Sequence, residues 1–136
     1  MINNTAARDR LAEIIRTNVP DTVSVQRPGF DAVATFPAVI IGMPTWEPDD
    51  RLPYGMERHR WPVAVVVARD GQDSTTIDQL EELWPAVVDL LRTAAHTDQT
   101  LGGVCAEAVV IRADFGQFAV QGSSYPAQLI SIDLYG

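Results

Sequence analysis

Ala7, Leu11, Ile14 and Ile15 recur at the spacing of one helical face, which predicts a helix from about Ala6 to Thr17. Thr5 is its candidate N-cap, and Pro20 limits the other end, because a residue that precedes proline is pushed out of the helical region. Val23-Ser24-Val25 alternates as a short strand does, and no consistent period follows from Arg27 to Pro37. The β-branched run Ala38-Val39-Ile40-Ile41-Gly42, bounded by Pro37 and Pro44, predicts a strand buried on both faces. From 43 to 60, Pro44, Pro48 and Pro53 erase any period, so this stretch reads as a long loop or arm. A strand core follows at Val63-Ala64-Val65-Val66-Val67, within a strand from about Trp61 to Arg69. Pro62 falls near its start, where a missing N–H does least harm.

Asp70-Gly71-Gln72-Asp73 reads as a turn, and Thr75 with Asp78 as a capping pair opening a second helix. Ile77, Leu80, Trp84, Val87, Val88, Leu91 and Ala94 keep one face of it, with a kink or break expected at Trp84-Pro85. Thr100-Leu101-Gly102-Gly103 ends the helix. The next strand starts at Ala108-Val109-Val110-Ile111 and continues irregularly through Phe115 to Val120. After a Gly122-Ser123-Ser124 turn, the last strand runs from about Ala127 to Leu134, where Leu129, Ser131 and Asp133 alternate with Ile130, Ile132 and Leu134. The order α-β-β-β-α-β-β predicts an α+β two-layer sandwich. It has an antiparallel or mixed sheet of four to five strands and two helices on one face, formed by residues 1–136 as a single domain.

Composition narrows the class. A chain of 136 residues, 46% hydrophobic, buries roughly two-thirds of its unfolded surface and folds without staples. Its single cysteine, Cys105, forms no internal disulfide. The longest apolar run, Val63 to Ala68, is far below the roughly 20 residues that span a bilayer, and the polar start Met1 to Thr5 is no signal region. No membrane partner is therefore expected. Eighteen acidic against ten basic residues give a net charge of −8, which opposes phosphate neutralisation and sequence-specific nucleic-acid binding. All ten basic residues are arginine, a pattern that GC-rich codon usage produces without any recognition role.

Reactive groups are few. His59, His96 and Cys105 fall on different elements with no metal-ligand spacing, and Cys105 has no activating neighbour in sequence, so it reads as an inert buried thiol. No G-x-S-x-G elbow is present, and Ser123-Ser124 reads as turn chemistry. Gly102-Gly103 and Gly116 to Gly122 lack the lysine and the strand-loop-helix context of a phosphate loop. Glu47, Asp49 and Asp50 lack calcium-loop spacing and read as a solvated acidic loop. The expectation is a protein that is not an enzyme and takes no cofactor. Trp46 and Tyr54 are different: a proline-rich loop has little core in which to bury them, and aromatics with arginine are enriched where proteins meet.

Taken together, four segments resemble the tail terminator proteins of long-tailed, siphovirus-type actinobacterial phages, the group like minor tail protein U. They are Ala38-Val39-Ile40-Ile41-Gly42-x-Pro44, Arg58-x-Arg60-Trp61-Pro62-Val63-x-Val65-x-Val67, the helix ending in Thr100-Leu101-Gly102-Gly103, and Gly116-x-Phe118-x-Val120-x-Gly122-x-x-Tyr125-x-Ala127. The likeness runs from Pro37 to Leu134 and includes the order of the elements. One departure is Trp84-Pro85, where a short glycine- or serine-containing break is expected. The resemblance implies a structural virion protein at the head-proximal end of the tail, assembled in the host cytoplasm. Such a protein forms a homo-oligomeric ring, a hexamer in the family, and caps the tail tube to end its polymerisation. Its partners are the major tail (tube) protein and the head-tail connector protein. It also gives the 43–60 arm a role at a subunit or tube interface, through Trp46, Tyr54, Arg58 and Arg60. Glu47, Asp49 and Asp50 are then candidates for a negative lumen through which DNA slides. Another head-tail connector or tail completion protein is the alternative, with a small host enzyme or ligand-binding domain behind it.

Overall fold

The computed structural model describes residues 2–26, 37–47, 51, 56–67, 74–120 and 123–136, without the side chains of 74–76, 120 and 123. The expected turn at 70–73, all of 27–36, and Asp49, Asp50 and Tyr54 lie outside the described residues. The chain folds as α1 (Asn4–Asn18), β1 (Ser24–Gln26), β2 (Ala38–Ile41), β3 (Thr45–Glu47), β4 (Arg58–Val66), α2 (Ser74–Thr97), β5 (Glu107–Val120) and β6 (Ser123–Tyr135). Six strands form one mixed sheet in the order β1-β2-β4-β6-β5, with β3 paired to β4 beside β2. Among the described residues, only the β1–β2 contact is parallel.

The α1 cap is Asn3 rather than Thr5. Asn3 has extended backbone, its Oδ1 accepts from Ala6 N–H at 3.1 Å, and its carbonyl accepts from Ala7 N–H, which leaves Thr5 inside the first turn. Thr75 likewise falls inside α2, which begins at Ser74, so it is not the cap. Pro85 interrupts neither end: α2 runs from Ser74 to Thr97 with the proline inside it, and no break occurs at Trp84-Pro85. Leu80, Val87 and Leu91 are buried and hold the helix to the sheet on both sides of that residue.

The two helices share one face of the sheet. Leu11 and Ile15 of α1 and Val87 and Leu91 of α2 pack with Val39, Ile41, Trp61, Val63, Val65, Ile130, Ile132 and Leu134 in the main core. Strand alternation sends Ala38, Ile40, Ala64, Val66, Tyr125 and Ala127 to the opposite face, where they form a second buried cluster with Phe118 and Leu129 against it. The strand β2 is buried at all four positions, as its β-branched run predicts.

β4 begins at Arg58, three residues before the expected start, which puts Pro62 in its middle. The reason it is tolerated lies across the ladder. β2 pairs with Val63–Val66 and β3 with Arg58–Arg60, so three residues, Gly42 to Pro44, stand opposite Trp61 and Pro62. The Pro62 carbonyl accepts from Gly42 N–H at 2.8 Å, so the side of Pro62 without an N–H faces this bulge and no regular ladder bond is lost. Gly42 is glycine for the same reason, since a Cβ there would lie 2.7 Å from Pro62 Cγ.

Candidate functional site

Within 43–60, β3 and the first residues of β4 form a short antiparallel ribbon, with Thr45 opposite Arg60, Trp46 opposite His59 and Glu47 opposite Arg58. Because side chains alternate, the ribbon divides the expected interface residues between its two faces. Trp46 lies on the helix side and Glu47, Arg58 and Arg60 lie on the other.

On the helix side, Trp46 is 56% exposed, and its Nε1–H donates to Glu57 Oε2 at 2.6 Å. Glu57 Oε1 lies 3.4 Å from Nε2 of the buried His59, whose Nδ1 is 2.9 Å from Asn4 Oδ1 at the start of α1. Arg8 of α1 sits over the Trp61 ring, 5.6 Å from its centroid, and donates to Met43 Sδ at 3.6 Å. Met43 is itself 63% exposed. This arrangement holds two large apolar side chains, Met43 and Trp46, outward in fixed positions beside the helix layer.

On the other face, ion pairs run across the strands. Arg58 Nη2 meets Glu47 Oε2 at 2.5 Å, and Arg60 grips Asp133 with two bonds, Nε to Oδ1 at 2.7 Å and Nη2 to Oδ2 at 3.0 Å. The carboxylate bonds raise both arginines further above their already high ordinary values, with Tyr135 adding to Arg58. Glu47, a lumen candidate, is thus neutralised locally by Arg58. The partner of Arg60 was hidden in sequence although its signal was there, since Asp133 falls on the polar phase of the alternating run 129–134.

The turn after α2 is built on Asp98. Its Oδ1 accepts from Thr100 N–H and hydroxyl, and its Oδ2 from Gly102 N–H at 2.8 Å. Leu101, Gly102 and Gly103 all have positive φ, and the buried Leu101 is held there by Arg10, whose Nε–H donates to its carbonyl at 3.1 Å. The Thr100 hydroxyl first, then the Gly102 and Thr100 amides, hold the Asp98 carboxyl below its ordinary value of 3.8. A lowered folded-state value means that this stabilisation is complete above the unfolded value and is lost as pH falls through the folded one. The gap in melting temperature between wild type and Asp98→Asn is therefore expected to stay constant above about pH 5 and to close progressively below it, as read by circular dichroism.

Cys105, half-buried beside this turn, has its thiol pushed up to about 11 by desolvation, with the Asp98 charge adding to the effect. It is a weak nucleophile at neutral pH, as its sequence setting suggests. A groove of about 570 Å³ lies between α1 and α2, lined by Ile14, Leu83, Ala86, Leu90 and Ala94, with Arg10 and Asp98 at its rim. Arg10 and Asp98 are both engaged with the turn after α2, so neither of these two is held in reserve for a ligand. Among the described residues, no group of three or more His, Cys, Asp or Glu is arranged to hold a metal ion, and no helix is long and apolar enough to cross a membrane.

Sequence reasoning passed over Met43, Val109, Ile111 and Phe115 as surface residues. All four are exposed, and the sequence pattern carries no sign of it, because alternation does not distinguish an edge strand from a central one. No protein-family model matches the chain, and no curated protein matches its sequence.

Proposed function

We propose that the chain is a structural subunit of a phage tail, a terminator that assembles as a homo-oligomeric ring, most simply a hexamer, on the head-proximal end of the tail tube. The reading rests on the family resemblance of the segments between Pro37 and Leu134. One observation of the fold supports it: the exposed indole of Trp46, pinned by Glu57 on the ribbon assigned to an interface. A large aromatic held rigidly in solvent gains contact area on binding at little entropic cost. In this role the chain needs surfaces for its own copies, for the tube protein and for the connector, and it needs no cofactor. The net charge of −8 suits a subunit beside a DNA passage.

The test is to mix purified protein with tail tubes and image them by negative stain. Density on one tube end supports a terminator. Tubes left bare while the protein binds the connector favour the completion-protein alternative. Trp46→Ala is expected to change folding stability by about 1 kcal/mol or less, since most of the side chain is already in water. It should weaken assembly at least tenfold, measured by light scattering across a concentration series. A large fall in melting temperature with assembly unchanged would assign Trp46 to the subunit's own core.

A further inference from the structure

β5, a strand of 14 residues, ends the sheet on one side, and among the described residues it pairs with β6 alone. Three exposed apolar side chains, Val109, Ile111 and Phe115, belong to it. Its register with β6 shifts once, between Val110 and Arg112, and is regular from Arg112 to Val120. An open edge pairs with another chain unless something guards it, and the common guards are proline, lysine, bulges and charged side chains. Residues 107–120 contain neither proline nor lysine. The bulge lies at Ile111, so the guards of the middle of the strand are the charges on Arg112 and Asp114.

Those charges repel a stranger but match a copy. When two identical strands pair antiparallel, residues equally far before and after the centre stand opposite each other. With the centre at Ala113, Arg112 of each copy faces Asp114 of the other, Ala113 meets Ala113, and Phe115 falls opposite Ile111, where the bulge ends the regular ladder. A centre moved by one residue, to Arg112 or to Asp114, sets like charges against each other. The faces agree as well. Arg112 and Asp114 pair with Ser131 and Leu129 of β6 and lie on the sheet face away from the helices. Ala113 and Phe115 pair with Ile130 and Gln128 and lie on the helix face. A twofold axis perpendicular to the sheet keeps each face on its own side, so charges meet charges and apolar groups meet apolar groups.

We infer that the β5 edge docks the β5 edge of a second copy of this chain, antiparallel about Ala113, so that the two sheets continue as one. Within one copy Arg112 Nε lies 3.0 Å from Asp114 Oδ2, and the two side chains are 66% and 63% exposed. Pairing sets these four charges in an alternating cluster on the face away from the helices. On the helix face the two small Ala113 side chains meet at the axis with a Phe115 on either side, and each ring loses solvent contact. The same surface is used by both copies, so the contact closes at two and leaves no β5 edge free. It involves neither Met43 nor Trp46, is separate from the contacts of a ring, and does not rest on the terminator reading.

The test is sedimentation velocity on the full chain across a concentration series, with Trp46→Ala as background so that ring contacts contribute little. The background protein is expected to pass from monomer to dimer and to stop there. Arg112→Asp and Asp114→Arg, added singly, should each weaken the dimer by about tenfold or more, because two attractive cross-strand pairs become two repulsive ones. An equimolar mixture of the two variants should recover the dimer, since the two aspartates of one copy then face the two arginines of the other. Circular dichroism checks that each variant is folded. A background protein that is monomeric at every concentration would overturn the contact, as would growth beyond two copies. Single variants that dimerise like the background, or a mixture that dimerises no better than its components, would overturn it too.

Discussion

Val65→Asp is expected to abolish the cooperative unfolding transition. Val65 is fully buried near the C-terminal end of β4, a strand inside the sheet, paired with Val39 on one side and Gln128 on the other, and its side chain faces the helix layer with Trp61, Val63 and Ile130. A carboxylate there either ionises without a partner or stays protonated without bonds, and either choice costs several kcal/mol. Domains of this size have total stabilities of about 5–15 kcal/mol, so the variant should lose most or all of its native population. Val65→Ala separates charge from volume. It should cost about 2 kcal/mol and lower the melting temperature by about 4 °C for each kcal/mol, with the transition still cooperative. A Val65→Asp protein that melts like the alanine variant would show that this part of the core admits water.

Arg60→Met should destabilise the fold by about 3 kcal/mol, the second largest effect among these variants. Asp133 is 1% exposed, and its two oxygens are each bonded to the Arg60 guanidinium, which keeps about a third of its own surface in solvent. Removing the arginine strands a buried carboxylate, while removing both charges does not. The double variant Arg60→Met with Asp133→Leu is therefore expected to recover about 2 kcal/mol relative to the sum of the single changes. Urea unfolding of the four proteins measures the coupling directly. Strict additivity would mean that Asp133 finds equal compensation without Arg60.

Periodicity located the helices and the buried strands because each buries a continuous stripe or run. Ala38–Ile41 needs no partner information to be recognised as two-sided, and Leu11 and Ile15 need none to be placed on one helical face. The α+β sandwich follows from that level alone. What escaped depends on neighbours distant in sequence. β3 is three residues long and follows Pro44, and it becomes a strand only because Arg58–Arg60 returns beside it. Pro62 looked like a strand start because the bulge at Gly42 that accommodates it lies across the ladder. Of the interface candidates, Trp46 could be singled out from its setting among prolines. That Arg58 and Arg60 face away from it, each holding a carboxylate, required the register.

The sheet order also dictates a sequence of events in folding. β5 and β6 meet through a hairpin whose last pair, Val120 with Ser123, has two residues between its members, whereas the β4–β6 ladder closes at Val65 with Gln128, across about sixty residues that include all of α2. Hairpins form in about 1–10 μs, and longer closures come later because chain entropy opposes them. The newly made β5–β6 hairpin therefore waits with Ile130, Ile132 and Leu134 uncovered and with β6 as an open template where β4 will dock. During that interval the chain is most prone to clump with its neighbours, and slow synthesis at low temperature should raise the yield of native subunits.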